Sequence, residues 1–210
     1  MGERTAAGGG KWVDVAPERL ERWLANFERR HGAYREQGLT LIAEDGASAT
    51  FGAPPGVPEG NQLAELIREA QAPRRLGLLL ARKGAVAVGV AEGAELVSSK
   101  VDTHYVQGRT AAGGWSQQRF ARRRVNQAKA AAADGAGIVG RLLLPEVRRL
   151  AALVTGGDRL AIDAILAAPP LKEVAALRAE RVLEVPEPRH AVLVSAVAGA
   201  RAVSVLVREP

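Results

Sequence analysis

The chain has 210 residues, of which 47% are hydrophobic and 4% aromatic, with no cysteine and a net charge of +6. This size and apolar content permit one folded domain with a small additional unit and exclude wholesale disorder. The lack of cysteine excludes disulfides and thiolate metal sites. Because the sequence has no apolar run of membrane-spanning length and no signal-peptide core, we expect a cytoplasmic protein without a membrane partner.

The first third of the chain predicts a small unit made of a helix and a hairpin. Residues 1–10 are rich in glycine, and we expect them to be flexible. Pro17 opens a predicted helix with Leu20, Trp23 and Phe27 at helical spacing. Two short apolar runs, 39–43 and 47–51, flank a turn signal centred on Gly46, which predicts a hairpin. We therefore assign residues 11–57 to a small N-terminal α+β unit.

Residues 61–210 predict a larger domain of the α/β (α+β) class, with a mixed β-sheet flanked by helices. A helix over 61–70 precedes three predicted strands, at 76–81, 85–91 and 95–105, whose short connections indicate a meander. A helix is expected over 117–133, an interruption at Gly135 and Gly137, and another helix over 139–150. The rest of the chain alternates strands and helices and ends with a strand at 202–207, as in βαβ-like units.

A glycine loop, residues 107–117, connects the third strand to the long helix. Its small residues leave backbone N–H groups free and permit unusual backbone angles, so the loop can approach a phosphate or a backbone closely. It also leads into a helix N-terminus, where unpaired N–H groups favour anions. A flexible surface loop without a ligand is the alternative.

The positive charge is concentrated beside this loop. No acidic residue occurs between Asp102 and Asp134, a stretch that holds six of the 29 basic residues. Without these six, the basic and acidic residues balance at 23 each. A one-sided run of this length favours a polyanionic partner such as nucleic acid. The alternative is a basic surface with no specific partner.

The helix after the loop carries three arginines and an asparagine at helical spacing. Positions 119, 122, 123 and 126 follow the i, i+3, i+4, i+7 pattern and therefore share one face. Such a face can hold a nucleic-acid backbone, although a solvated helix is the alternative. Trp115 can stack on a base or anchor the loop on the protein. The predicted RNA-binding residues are Arg109, Trp115, Gln118, Arg119, Arg122, Arg123, Asn126 and Lys129.

Other kinds of site have weaker support in the sequence. None of His31, His104 and His190 is paired with a cysteine or carboxylate at metal-ligand spacing, so we expect no metal site. The turn at Gly156 and Gly157 is too short for a P-loop or a dinucleotide fingerprint, so we expect no cofactor. The carboxylates are scattered and predict no acid/base pair.

At the glycine loop the sequence resembles the catalytic domain of Vms-type release factors, in their actinobacterial branch. That family is related to the middle domain of eukaryotic and archaeal peptide-chain release factors. The resemblance rests on residues 104–106, on Arg109, and on the Gly-Gly-Trp-Ser-Gln string at 113–117 with the Arg-rich helix behind it. The family's Gly-x-x-Gln pattern is met by residues 114–117. Termination factors carry Gly-Gly-Gln without a gap, so the two residues inserted here argue against stop-codon termination.

The resemblance implies a fold like the release-factor middle domain and a hydrolase that acts on peptidyl-tRNA in the large ribosomal subunit. It implies action on stalled complexes, as in ribosome-associated quality control. Gln117, Gly114 and Gly113 would be the catalytic residues, with no metal or cofactor. Two reactions fit: hydrolysis of the peptidyl ester, which we favour, and cleavage of the tRNA near its 3′ end. A non-catalytic RNA- or ribosome-binding module is the rival interpretation.

Overall fold

The computed structural model describes residues 3–82, 84–103 and 116–210, apart from the side chains of residues 3, 103 and 116–125. The chain divides into two units, the first formed by Met1–Arg74 with Ala198–Pro210 and the second by Arg75–Val197. The sequence instead predicts a division after residue 57, with the last strand in the larger domain. The difference arises because the C-terminal strand pairs with strands from the beginning of the chain, which a linear pattern does not specify.

The sheet of the first unit is antiparallel throughout, in the order β1-β2-β11-β5-β4-β3. The expected hairpin is present as β4 and β5. The expectation of a flexible start is wrong for residues 3–5, because they pair with β2. In β2, Val13 and Val15 alternate with more exposed residues, a period-two pattern that the sequence analysis missed. The strands are β1 Glu3–Thr5, β2 Lys11–Val15, β3 Tyr34–Gln37, β4 Thr40–Ala43, β5 Ser48–Gly52 and β11 Val203–Arg208.

Two helices complete the first unit, α1 (Leu20–His31) and α2 (Leu63–Gln71). A short 3-10 turn, Pro17–Arg19, precedes α1, because proline at the first helical position has its φ angle already set. Leu20 and Phe27 of α1 lie in the same buried cluster as Phe51 of β5. The ring of Trp23 stacks on Phe27 with a centroid distance of 5.5 Å. This side of α1 therefore packs in the core of the first unit.

The sheet of the second unit is mixed, in the order β10-β9-β6-β7-β8. The predicted meander is confirmed: β6, β7 and β8 pair antiparallel in chain order. On the other side of β6, β9 and β10 run parallel to it, as the alternating last third predicted. The strands are β6 Arg75–Arg82, β7 Ala85–Glu92, β8 Glu95–Thr103, β9 Ala152–Gly157 and β10 Arg178–Leu183.

Helices cover both faces of this sheet, which confirms the expected fold class. Val88 of β7 belongs to a core cluster that also contains Val139 and Ile162, from two helices on one face. On the other face, a Cβ added to Gly89 would lie 3.0 Å from Leu193. With helices on both faces, the central strands are buried almost throughout. The helices are α3 Ser116–Leu143, α4 Arg159–Leu166, α5 Lys172–Ala176 and α6 His190–Arg201.

The predicted interruption of the long helix at Gly135 and Gly137 is wrong. Helix α3 is continuous from Ser116 to Leu143, and a 3-10 turn, Leu144–Arg149, follows it. A Cβ on Gly135 would lie 2.9 Å from Ile165 Cδ1 and 3.5 Å from Val86 Cγ2. Glycine is present at 135 because α3 approaches α4 and β7 closely there. The packing of the helix outweighs the low helix propensity of glycine.

Candidate functional site

The candidate site lies between an edge strand and the longest helix of the second unit. Strand β8 ends at Thr103 and α3 begins at Ser116, so the predicted strand and helix are present on either side of residues 104–115, which lie outside the described ranges. Helix α3 packs against both β7 and β8. Four predicted site residues, Arg109, Gly113, Gly114 and Trp115, lie outside the described residues, as do His104 and Tyr105.

The N-terminus of α3 coincides with the Gly-x-x-Gln string. The helix begins at Ser116, so Gln117 and Gln118 belong to its first turn. The first N–H groups of an α-helix have no acceptor within the helix and form the positive end of its dipole. This turn contains no acidic residue. The local backbone and charge therefore favour an anion, or an oxygen that gains negative charge during a reaction.

One side of α3 faces the protein core. Gly135, Ile138, Val139 and Leu143 are buried, whereas Asn126, Ala130, Ala133 and Arg141 are exposed. The two sets follow the 3.6-residue period of a single amphipathic helix. A solvent-facing side therefore runs along the part of α3 whose side chains are described.

The predicted Arg face consists of Arg119, Arg122, Arg123 and Asn126, and of these the side chain of Asn126 is described and exposed. Arg119 and Arg122 precede the exposed Asn126 by seven and four residues, about two turns and one turn of an α-helix. Arg123 precedes the exposed Ala130 by seven. Lys129, like Asn126, is a predicted RNA-binding residue whose side chain is described, and it is also exposed. The helical backbone thus puts these positions on one arc of α3, with Lys129 at its border.

Gln117 falls on a different side of α3 from the Arg face. It lies two positions before Arg119, which corresponds to a rotation of about 200° around the helix axis. It precedes Gly135 by eighteen residues, about five full turns, and so shares the line of the buried glycine.

Two of the three histidines, His31 and His190, lie within the described residues. No group of three or more metal-ligating side chains occurs within the described ranges. His31 is buried in the first unit, with its Nδ1 2.8 Å from Asp45 Oδ2, where it links the end of α1 to the β4–β5 turn. His190 is exposed and begins α6. These two histidines lie in separate parts of the chain.

Gly156 and Gly157, which the sequence predicts as a turn, are instead the last two residues of β9, and Asp158 alone connects that strand to α4. Gly157 has a φ angle of +97°, and a Cβ there would lie 2.4 Å from the carbonyl oxygen of Ala81. The next residue, Asp158, accepts hydrogen bonds from the N–H groups of Leu160 and Ala161. The carboxylate thus occupies the helix N-terminus that a phosphate would need, which argues against a nucleotide at the start of α4.

Sequence reasoning missed the close contacts that hold α3 behind the site. The close approach at Gly135 depends on Val86 and Ile165, which are distant in the chain. The signal that could have revealed it is helical spacing: Gly135 lies in line with the apolar positions 138, 139 and 142. No helix in the described part of the chain is long and apolar enough to cross a membrane.

A profile of the Actinobacteria/chloroflexi VLRF1 release factor family matches residues 74–206. Two solved structures are similar in part, each at 13% identity with a TM-score of 0.40. The first, described as an archaeal protein, matches 77% of this chain, which spans 52% of that protein. The second, the crystal structure of the archaeal translation termination factor aRF1, matches 90% of this chain, which spans 66% of it. No curated protein sequence matches the chain.

The family match includes the mixed sheet, the glycine loop and all of α3. It covers more than half of the chain and agrees with the family resemblance of the sequence. The chain belongs to the Actinobacteria/chloroflexi VLRF1 release factor family.

Proposed function

We propose that this protein hydrolyses the ester bond of peptidyl-tRNA in the large ribosomal subunit and so releases the nascent chain from stalled complexes in the cytoplasm. Membership of a release factor family supports a release function in translation. The observation that carries the finer proposal is the start of α3 at Ser116, because it puts Gln117 in the first turn of a helix. The inserted Trp115 and Ser116 separate this role from stop-codon termination.

The chemistry of glutamine defines what Gln117 can do. Its amide has no useful pKa, so it cannot act as a general acid or base. It can orient an attacking water, donating through its NH₂ group and accepting through its oxygen. The N–H groups of the loop and of the first turn of α3 would stabilise the negative charge that develops on the carbonyl oxygen of the ester. Proton transfer would come from the tRNA ribose hydroxyl or from the ribosome.

The Arg face would position the tRNA for this reaction. Arg119, Arg122 and Arg123 would hold phosphates, since guanidinium groups pair with phosphate through two parallel hydrogen bonds. Asn126 and Lys129 are exposed beyond them and extend the same surface. Because Gln117 is on another side of the helix, the phosphates and the ester would be held by different residues. Arg109, Trp115 and Gln118 would complete the RNA contacts, and Gly113 and Gly114 would let the tRNA end approach the backbone.

The proposal is tested with peptidyl-tRNA bound to large ribosomal subunits and an excess of the full chain. The expected products are free peptide and a tRNA whose mass shows an intact CCA end. A tRNA shortened at its 3′ end would show that a ribose hydroxyl had attacked the neighbouring phosphate, and ester hydrolysis would then be wrong. Binding without any product would favour the non-catalytic RNA-binding module.

A further inference from the structure

The first unit carries a second basic surface, on helix α1. Arg19, Arg22, Asn26, Arg29 and Arg30 are all exposed and follow one another at helical spacing, so they lie on one arc of the helix. We call these five residues the α1 basic stripe. From Arg19 to Arg30 it is about 16 Å long, given the rise of an α-helix. The stripe lies apart from the core side of α1, where Leu20 and Phe27 are buried.

Carboxylates do not neutralise this stripe as they neutralise other arginines of the first unit. Arg4 pairs with Asp14, Arg68 pairs with Glu65 and Glu69, and Arg201 pairs with Glu18. In the part of the chain that the structure describes, neither Arg19 nor Arg22 has a carboxylate partner. Arg29 donates to Asn26 within the stripe, and Arg30 alone has an acidic partner, Glu209.

The helix itself does not account for the arginines at its start. Arg19 is the N-cap residue of α1 and Arg22 lies in the first turn, at the positive end of the helix dipole, where cations are unfavourable. Glu18 lies four residues before Arg22 and would be its natural helical partner, but its carboxylate accepts a hydrogen bond from Arg201 instead. Glu21 of the same turn complements the dipole but, in the described part of the chain, pairs with neither arginine. An external anion would therefore still relieve the charge of Arg19 and Arg22.

The composition of the stripe indicates the kind of anion. It contains guanidinium groups and one amide, which suit phosphates. The aromatic residue of α1 nearest to it, Trp23, is occupied by contacts with Phe27 and Phe51. Single-stranded RNA is usually held by stacking on exposed aromatic rings, whereas double-helical RNA is recognised through its backbone and shape. The stripe thus fits the phosphate backbone of an RNA helix.

We propose that the α1 basic stripe binds a double-helical segment of ribosomal RNA in the large subunit, as a contact separate from the tRNA contacts of α3. Ribosomal RNA is the choice because the proposed function already gives the tRNA to the Arg face of α3. This contact would anchor the protein whether or not a peptidyl-tRNA is present, and so goes beyond the proposed release reaction.

The test measures binding of the full chain to vacant large subunits, which carry no tRNA, between about 50 and 200 mM salt. The variant is Arg22→Ala/Arg29→Ala, and the matched control is Arg35→Ala/Arg68→Ala, which removes the same charge from exposed positions of the same unit. We expect several-fold weaker binding for the first pair, with a salt slope shallower by about two, one for each arginine–phosphate pair removed. The control should keep the wild-type slope, and Arg22→Lys/Arg29→Lys should nearly restore it.

Equal slopes for the stripe variant and the wild type would overturn the proposal. So would weaker binding that appears only on tRNA-loaded subunits, because the partner would then be tRNA. A third arm uses deproteinised large-subunit RNA, where the stripe variant should be weakened to the same extent; weakening confined to whole subunits would indicate a ribosomal protein. None of these measurements includes a release step, so failure of the stripe and failure of Gln117 chemistry are distinguishable.

Discussion

Gly135 of α3 lies against Ile165 of α4 so closely that a methyl group on its Cα would come within 2.9 Å of Ile165 Cδ1. Ile165 is 1% exposed, so its side chain has little room to move away. The packing of α3 thus depends on a glycine, a residue of low helix propensity. The contact holds the helix behind the candidate site against the core of the second unit.

Two alanine substitutions on α3 test this contact. Both Gly135→Ala and Gly137→Ala gain helix propensity, about 1 kcal/mol each, so that gain cancels in the comparison. At Gly137 a methyl group would meet only the end of Arg141, at 3.4 Å. We expect Gly135→Ala to have a free energy of unfolding lower than that of Gly137→Ala by about 1–3 kcal/mol, the usual cost of overpacking. Equal urea-unfolding midpoints for the two variants would contradict the close packing.

The cap of α4 predicts a loss of stability at Asp158. Its side chain accepts hydrogen bonds from two N–H groups of the first turn, at 2.9 Å and 3.4 Å. Asp158→Ala should lower the free energy of unfolding by about 0.5–2 kcal/mol, whereas Asp158→Asn keeps an acceptor and should lose little. Thermal unfolding of the two variants measures the difference. If Asp158→Ala is stable and binds a nucleotide, the start of α4 is a small-molecule site and the capping role is contradicted.

The Arg face of α3 predicts salt-dependent binding to peptidyl-tRNA-loaded large subunits. Arg122→Ala/Arg123→Ala should weaken binding and make its salt slope shallower by about two, because two arginine–phosphate pairs are removed. The matched control is Arg148→Ala/Arg149→Ala, a neighbouring exposed arginine pair in the same unit. If both pairs change the slope equally, general surface charge explains the binding and the Arg face has no special role.

The β4–β5 turn predicts a dependence of stability on pH. The backbone N–H of Ala47 and the ring of His31 both hydrogen-bond to Asp45 and hold the pKa of its carboxyl below the usual range. A lowered folded-state pKa stabilises the protein above the unfolded-state value, about 4, and that stabilisation is lost as the pH falls through the folded-state pKa. Asp45→Asn should therefore reduce the decrease in the free energy of unfolding that acid pH causes. Urea unfolding at neutral and acid pH measures it, with Glu44→Gln as the control from the same turn; an unchanged pH profile for Asp45→Asn would refute this role.

The sequence predicted the elements of the second unit well because they repeat simple local patterns. The nearly continuous apolar runs of β6 and β7 and the short connections between the strands are visible along the chain, and so is the run without acidic residues that supplies most of α3. The predicted break at Gly135 was wrong because the reason for a glycine there lies in Ile165 and Val86, which only the folded chain brings near. In the same way, β11 looked like a last strand of the second sheet, but it pairs with Val13 and Phe51 of the first unit.

For the candidate site, the sequence predicted the strand and the helix on either side of the glycine loop. The strand, the helix and the exposure of Asn126 and Lys129 agree with the sequence analysis. Helical spacing alone also separates Gln117 from the Arg face, because Gln117 lies two positions before Arg119, a rotation of about 200° around the helix axis. The roles of Gly113, Gly114, Trp115 and Arg109 stay predictions, because those residues lie outside the described part of the chain.

The most direct test of the release chemistry is the single-turnover rate of peptide release with Gln117→Ala at saturating protein on large-subunit peptidyl-tRNA. Losing one group that orients the nucleophile or stabilises the developing charge should slow release by about 10²–10³ while binding is retained. Gln127→Ala, the same change ten residues further along α3, is the matched control and should release at the wild-type rate. If Gln117→Ala releases peptide as fast as the wild type, Gln117 is not the catalytic residue and the account of the Gly-x-x-Gln loop is contradicted.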